Sequence, residues 1–196
     1  MLRKVFIDCG ANDGCSVRKF KRIVSNWEDY EIYSFEPNPS FAKDIENSGA
    51  TLIEKAVWIE DGEVDFFIVT VDNKGKENMR TGASTLNPRK NEWNLDGRHI
   101  ESEVYRVESV DLSKWVLNNF SKENKIILKM DIEGSEYDVL DKMIDDGSLE
   151  FVDELWIEFH TYKCGVTPER HNVLNAYLDT LGIKINRNWD GLRKEI

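Results

Sequence analysis

Short apolar runs alternate with stretches of helical period along most of the chain, and that alternation leaves few architectures open. Residues 4–8 are an apolar run that stops at Asp8 and Gly10, as a buried strand does. Val17, Phe20, Ile23, Val24 and Trp27 then recur at helical spacing within 16–27. Residues 31–35 read as a second strand, closed by Glu36-Pro37-Asn38-Pro39, because the residue before a proline avoids helical angles. A short helix over 40–47 and a third strand over 51–58 follow. Asp61-Gly62, between Val57-Trp58-Ile59 and the run from Val64 to Val69, reads as a hairpin turn. Residues 107–110 are a short extended piece, and 112–120 a helix capped by Asp111 or Ser113. Residues 125–130 are a strongly apolar strand, 134–146 a helix, and 152–159 the next strand. Thr167-Pro168-Glu169 opens a further helix with a cap, a proline at its first position and a first-turn acid. That helix runs to Leu181, and the last residues read as one or two short edge strands. The pattern implies one α/β domain over 1–196, a doubly wound, mostly parallel sheet with helices on both faces. Such sheets bind ligands beyond the carboxyl ends of their strands, where the strand order reverses.

Charge narrows the ligand. The net charge is −11, and basic residues are scattered, as in Arg18-Lys19-Phe20-Lys21-Arg22, which reads as the wet side of a helix. A nucleic-acid binder needs a basic face. Nucleic acid, membrane surfaces and strongly anionic substrates are therefore disfavoured, and a neutral or cationic small molecule fits better. No stretch has the length of a membrane span, and the first residues lack the apolar core of a signal peptide. The three cysteines, Cys9, Cys15 and Cys164, are odd in number and lack a CxxC pair, so they read as reduced, packed thiols. Together these features imply a cytoplasmic protein. Residues 72–103 are polar and weakly periodic; within one domain such a segment is a functional loop or lid.

The strand ends carry the chemistry. After the first strand comes Asp8-Cys9-Gly10-Ala11-Asn12-Asp13-Gly14. Its glycines permit a tight turn and close approach of a ligand to the backbone. The amides at the following helix start favour a carboxylate or phosphate. The spacing is not GxGxxG, and the acids would serve pyrophosphate poorly. A ligand carrying an ammonium or sulfonium beside a carboxylate suits this turn better. Glu36, at the end of the second strand, is placed to accept hydrogen bonds from a ribose diol. Lys55-Ala56-Val57-Trp58 offers an apolar ledge for an adenine ring, and reads equally as ordinary core. Asp131-Ile132-Glu133-Gly134-Ser135-Glu136 ends the apolar strand over 125–130. Glu136 falls where it complements the helix dipole, which leaves Asp131 and Glu133 without a structural explanation. Glu158 and His160 share one side of an extended chain, and histidine is the usual general base near neutral pH.

In order along the chain, these segments resemble the FkbM-type methyltransferases, a branch of the class I S-adenosylmethionine-dependent family. VFIDCGANDG is similar to that family's D-x-G-A-N-x-G motif, SFEPNP to its F-E-P-x-P, and EKAVW to its third-strand segment. Ser84-Thr85-Leu86 resembles its S-S-L, and VESVDLSKW its V-x-T-L-D. ILKMDIEGSEYDVL is similar to K-x-D-V-E-G-x-E, the most specific of them, and LWIEFH to a closing E-x-H. The resemblance implies a seven-stranded Rossmann-like sheet with the last strand antiparallel. It implies S-adenosylmethionine as methyl donor and a hydroxyl as acceptor, a sugar first among small or glycan-like candidates. By motif position, Asp8, Gly10, Ala11, Asn12 and Gly14 would hold the methionine end. Glu36 would take the ribose, Asn38 and Ala56 would lie near the adenosine, and Pro37 would also belong to the cofactor site. Asp131, Glu133 and His160 would line the reaction site, with His160 or Asp131 as base. Substrate contacts would come from Ser84, Thr85, Glu158 and the loop, whose Trp93 could stack on a sugar or anchor a lid, beside Arg80, Arg89, Arg98 and His99.

Three rival readings stay open at this point. Asp131, Glu133, Glu158 and His160 offer oxygen and imidazole ligands to a divalent cation, so transfer could be metal-assisted; this is not the favoured reading. The domain could keep the cofactor pocket and serve as a non-catalytic scaffold, although such a scaffold has no use for the acid–histidine cluster. A dinucleotide dehydrogenase is disfavoured by the missing GxGxxG.

Overall fold

The computed structural model describes residues 2–69, 84–87, 102–161, 164–187 and 189. In chain order the elements are β1 (Lys4–Cys9), α1 (Cys15–Ile23), β2 (Tyr30–Phe35), α2 (Ala42–Asn47), β3 (Thr51–Ile53), β4 (Ala56–Trp58) and β5 (Gly62–Val69). There follow β6 (Ser102–Asp111), α3 (Leu112–Asn119), β7 (Lys125–Met130), α4 (Glu136–Asp145), β8 (Glu154–Ile157), α5 (Pro168–Thr180) and β9 (Lys184–Asn186). The caps follow the residues: Asp111 accepts from the Lys114 amide at the start of α3, and Thr167 from the Arg170 amide at the start of α5.

Six strands form the main sheet in the order β3-β2-β1-β7-β8-β9, and every pairing in it is parallel. The chain winds outward from β1 to β3, then returns to β7 and winds the other way. The reversal lies between β1 and β7, so their carboxyl ends open a crevice. Strand alternation sends Val5, Ile7 and Cys9 to one face, where α3, α4 and α5 contribute Val116, Leu140 and Leu174 to the core. Phe6 goes to the other face, under α1, and stacks on Phe20 with centroids 4.1 Å apart. Trp156 and Trp189 stack at 4.7 Å in the same cluster. Among the described residues no helix is long and apolar enough to cross a membrane.

The structure departs from the sequence reading in four places. The six-stranded sheet has no antiparallel last strand among the described residues: β9 joins β8 in parallel. The reason is α5, because a helical crossover returns the chain to the same end of the sheet before β9 begins. The third strand is two strands in two sheets. The Lys55 amide bonds to the Ile53 carbonyl at 2.8 Å, a tight turn that breaks the run after β3. The expected hairpin at Asp61-Gly62 does not form, because β6 inserts between its arms in the order β4-β6-β5. Asp61 instead accepts from the Asp111 amide and the Lys114 ammonium, at 3.1 and 2.6 Å, and ties down the end of β6. Finally, the short piece at 107–110 is the end of a ten-residue strand antiparallel to β5, which takes residues 102 and 103 out of the expected loop. Of the rest of that loop, 84–87 are described; Trp93, Arg80, Arg89, Arg98 and His99 lie outside the described residues.

Candidate active site

The crevice between β1 and β7 is an open cleft with about 830 Å³ of empty space, its mouth included. Its floor is the turn after β1. The amides of Gly10 and Ala11 both donate to the Phe35 carbonyl, at 3.0 and 3.1 Å, so the chain folds over the end of β2. That path needs Gly10 at φ 78° and Asn12 at φ 49°, both left-handed.

Glu36 stands at one end. Its carboxylate is 7% exposed and accepts from two backbone amides at 2.9 Å each, Asn12 to one oxygen and Asn38 to the other. Burial pushes its pKa up to about 7, against the opposing effect of those two amides. Pro37, Phe41, Ala56, Val57 and Phe66 make the apolar wall beside it. Asn38 does not line the cleft; its side chain caps the turn at Pro39–Phe41 by accepting from the Ser40 amide and hydroxyl.

Asp8 is beneath the floor and not in the cleft. It is fully buried, with the hydroxyls of Ser16 and Ser34 at 2.5 and 3.4 Å from one oxygen. Its other oxygen lies 3.1 Å from Lys129 Nζ. Gly14 is the left-handed cap residue of α1 and likewise stays off the wall. Lys129 does line the cleft, at 1% exposure, and donates to the carbonyls of Gly10 and Cys9 at 2.7 and 3.2 Å. Asp131, on the same wall, is 3.7 Å from Nζ. Burial works against the lysine's charge, yet Asp8 and Asp131 more than offset it, and its pKa is raised.

The opposite end gathers acids around one imidazole. Glu133 and Glu158 line the cleft. His160 stands one layer behind them, with Nε2 3.2 Å from Glu133 and 3.7 Å from Glu158. Its Nδ1 lies 2.9 Å from Glu136, which assigns the proton on that nitrogen to the carboxylate contact. Glu136 is fully buried and also accepts from the Ile132 and Gly134 amides, at 3.0 and 2.9 Å. It therefore holds the whole 132–134 turn as well as the ring, a larger part than dipole capping. Glu133 itself takes a left-handed backbone, φ 57°. Its carbonyl is clasped by the Thr85 hydroxyl at 2.6 Å. Thr85 is thus a buried strut behind the cleft, whereas Ser84 lines it. The Ser84 hydroxyl oxygen is buried and makes no hydrogen bond among the described residues.

Of the residues singled out by sequence, the cleft brings together Gly10, Ala11, Asn12, Glu36, Pro37 and Ala56 with Asp131, Glu133, Glu158 and Ser84. Sequence reasoning missed Lys129 and the supporting part of Glu136. A signal existed for the first: a lysine inside IILKM, a strand otherwise fit only for burial. A family model described as the methyltransferase FkbM domain matches residues 8–183. No curated protein and no solved structure matches the chain.

Proposed function

The chain belongs to the FkbM methyltransferase family, and from that premise we propose that it methylates a hydroxyl of a small or glycan-like acceptor, sugars first, using S-adenosylmethionine. The observation that carries this reading is the cleft itself, with a buried acid at one end and an acid–histidine cluster at the other. The residues present suit such a donor. Glu36 keeps lone pairs for a ribose diol beyond its two amide bonds, the apolar wall at Ala56 and Phe66 suits adenine, and the acids suit a cation.

S-adenosylmethionine supplies the methyl carbon, which bonds to the acceptor oxygen as the carbon–sulfur pair returns to sulfur. The protein's part is to place the acceptor and take its proton. Holding two reactants in line is worth about 7–11 kcal/mol of barrier, and a positioned base about 10²–10⁴-fold in rate. Glu133 faces the cleft with His160 Nε2 behind it, so the hydroxyl proton passes to that pair. Glu136 fixes the ring so that Nδ1 cannot compete for it. Asp131, on the cleft wall, would meet the donor's cationic end. The same reading puts the enzyme in the cytoplasm, with no nucleic-acid or membrane partner, in keeping with three cysteines outside any disulfide.

The test is calorimetric titration with S-adenosylhomocysteine, followed by a screen of sugar acceptors. Folded protein that binds none would overturn the proposal. A pH series adds a sharper expectation. Ribose hydroxyls donate to ionised Glu36, whose pKa is about 7, so affinity is full above pH 7 and falls as pH drops through it. Between pH 8 and pH 6 the loss is about tenfold. Glu36→Gln should flatten that profile, and a profile equally steep in the variant would assign the titration elsewhere.

Metal assistance is the second reading, favoured by one observation: Asp131, Glu133 and His160 each place a donor atom within 4.8 Å of the others. Against it, Asp131 already faces Lys129, and both His160 nitrogens face carboxylates. Titration with manganese decides. Micromolar binding that disappears in Glu133→Gln would establish the cation; heat only at millimolar levels would leave the metal-free reading standing.

A further inference from the structure

Lys129 sits where a lysine is costly. It lies in β7, a central strand of the sheet, at 1% exposure, where a charge is strongly disfavoured unless paired. Asp8 is its direct cross-strand partner in the β1–β7 register and would suffice for the pairing. Yet Nζ does more than meet Asp8. It donates at 2.7 Å to Gly10, whose φ of 78° is the hinge of the cleft floor, and at 3.2 Å to Cys9, and it faces Asp131 at 3.7 Å. The ammonium donates to the two carbonyls and is held to Asp8 and Asp131 by charge. One side chain thus fixes the floor and the adjoining acidic wall together.

We propose that Lys129 is a positioning residue for the amino-acid end of the methyl donor, locking the Gly10 turn and the Asp131 carboxylate into the wall that meets its ammonium. The inference rests on the S-adenosylmethionine reading above. It predicts an effect confined to ligands that possess that end. Charge alone would act in the other direction, since removing Lys129 leaves Asp131 more attractive to an ammonium. A loss of affinity is therefore the mark of lost geometry.

The experiment compares S-adenosylhomocysteine with 5′-methylthioadenosine, which keeps the adenosine and thioether and lacks the amino acid. Both are titrated calorimetrically into wild type, Lys129→Met, and the double variant Asp8→Asn/Lys129→Met, which removes both charges of the buried pair and guards against misfolding of the single variant. Expected is at least a tenfold loss for S-adenosylhomocysteine in the variants, with 5′-methylthioadenosine within threefold of wild type. Unchanged or tighter S-adenosylhomocysteine binding would overturn the proposal, and so would an equal loss for both ligands. Wild-type protein that binds neither would instead defeat the methyl-donor reading on which it rests.

Discussion

Glu36→Ala is expected to weaken S-adenosylhomocysteine binding by at least about 10²-fold while the protein stays folded. Two losses combine in that figure. The ligand loses a charged acceptor for its ribose, and hydrogen bonds to charged groups are worth about 1.5–3 kcal/mol each. The protein loses the partner of two amides, Asn12 and Asn38, which the carboxylate now ties together at one end of the cleft at 2.9 Å each. Asn12 holds a left-handed backbone, φ 49°, so without Glu36 it is free to relax and the floor of the site with it. Calorimetry on wild type, Glu36→Ala and Glu36→Gln separates the two. The glutamine keeps one oxygen acceptor and the side chain's shape, so it should fall between the others. Binding in Glu36→Ala within threefold of wild type would remove Glu36 from the site.

The ordering of the two variants bears on what the sequence could reveal. That an acid closes β2 is legible because an apolar run ends there and a proline follows; that this acid is buried, amide-bonded and shifted is not, because Asn12 comes from a different turn. The same division runs through the fold. The helix–strand alternation and the crevice it implies follow from periodicity, and the acids at strand ends are visible as breaks in apolar runs. Pairing is another matter. Nothing local in 107–110 says that the strand begins at Ser102 and lies between β4 and β5, since that choice is made by distant partners, from Val69 opposite Ser102 to Ala56 opposite Ser109. Asp8 shows how far alternation carries. Strand alternation places Asp8 on the face opposite Ile7, but only the β1–β7 register puts Lys129 across from it and leaves the acid buried. Glu136 was legible as a first-turn acid and not as the holder of His160, because the ring arrives from beyond β8.

Gly10→Ala is expected to abolish S-adenosylhomocysteine binding and to destabilise the fold beyond the ordinary cost of replacing a left-handed glycine. A Cβ built on Gly10 would lie 2.0 Å from the Asp131 carbonyl oxygen and 3.0 Å from its carbon, both backbone atoms that no rotamer change can move. The residue would also have to keep φ 78°, a left-handed conformation costing about 1–2 kcal/mol for alanine. Overpacking adds about 1–3 kcal/mol more, and the relief available is to push the Gly10 turn away from Asp131. That movement withdraws the Gly10 carbonyl from Lys129 and separates the two walls that meet the ligand. Gly147→Ala supplies the comparison, because Gly147 has nearly the same φ, 75°, with nothing within 4 Å of its Cβ position. It should lose only the conformational part, a few degrees of Tm, and bind S-adenosylhomocysteine as wild type does. Gly10→Ala should lose at least twice that in Tm and bind no S-adenosylhomocysteine at any accessible concentration. If the two variants melt together and both bind, the contact between the glycine turn and Asp131 does not shape the site, and the floor of the cleft must be more yielding than its hydrogen bonds imply.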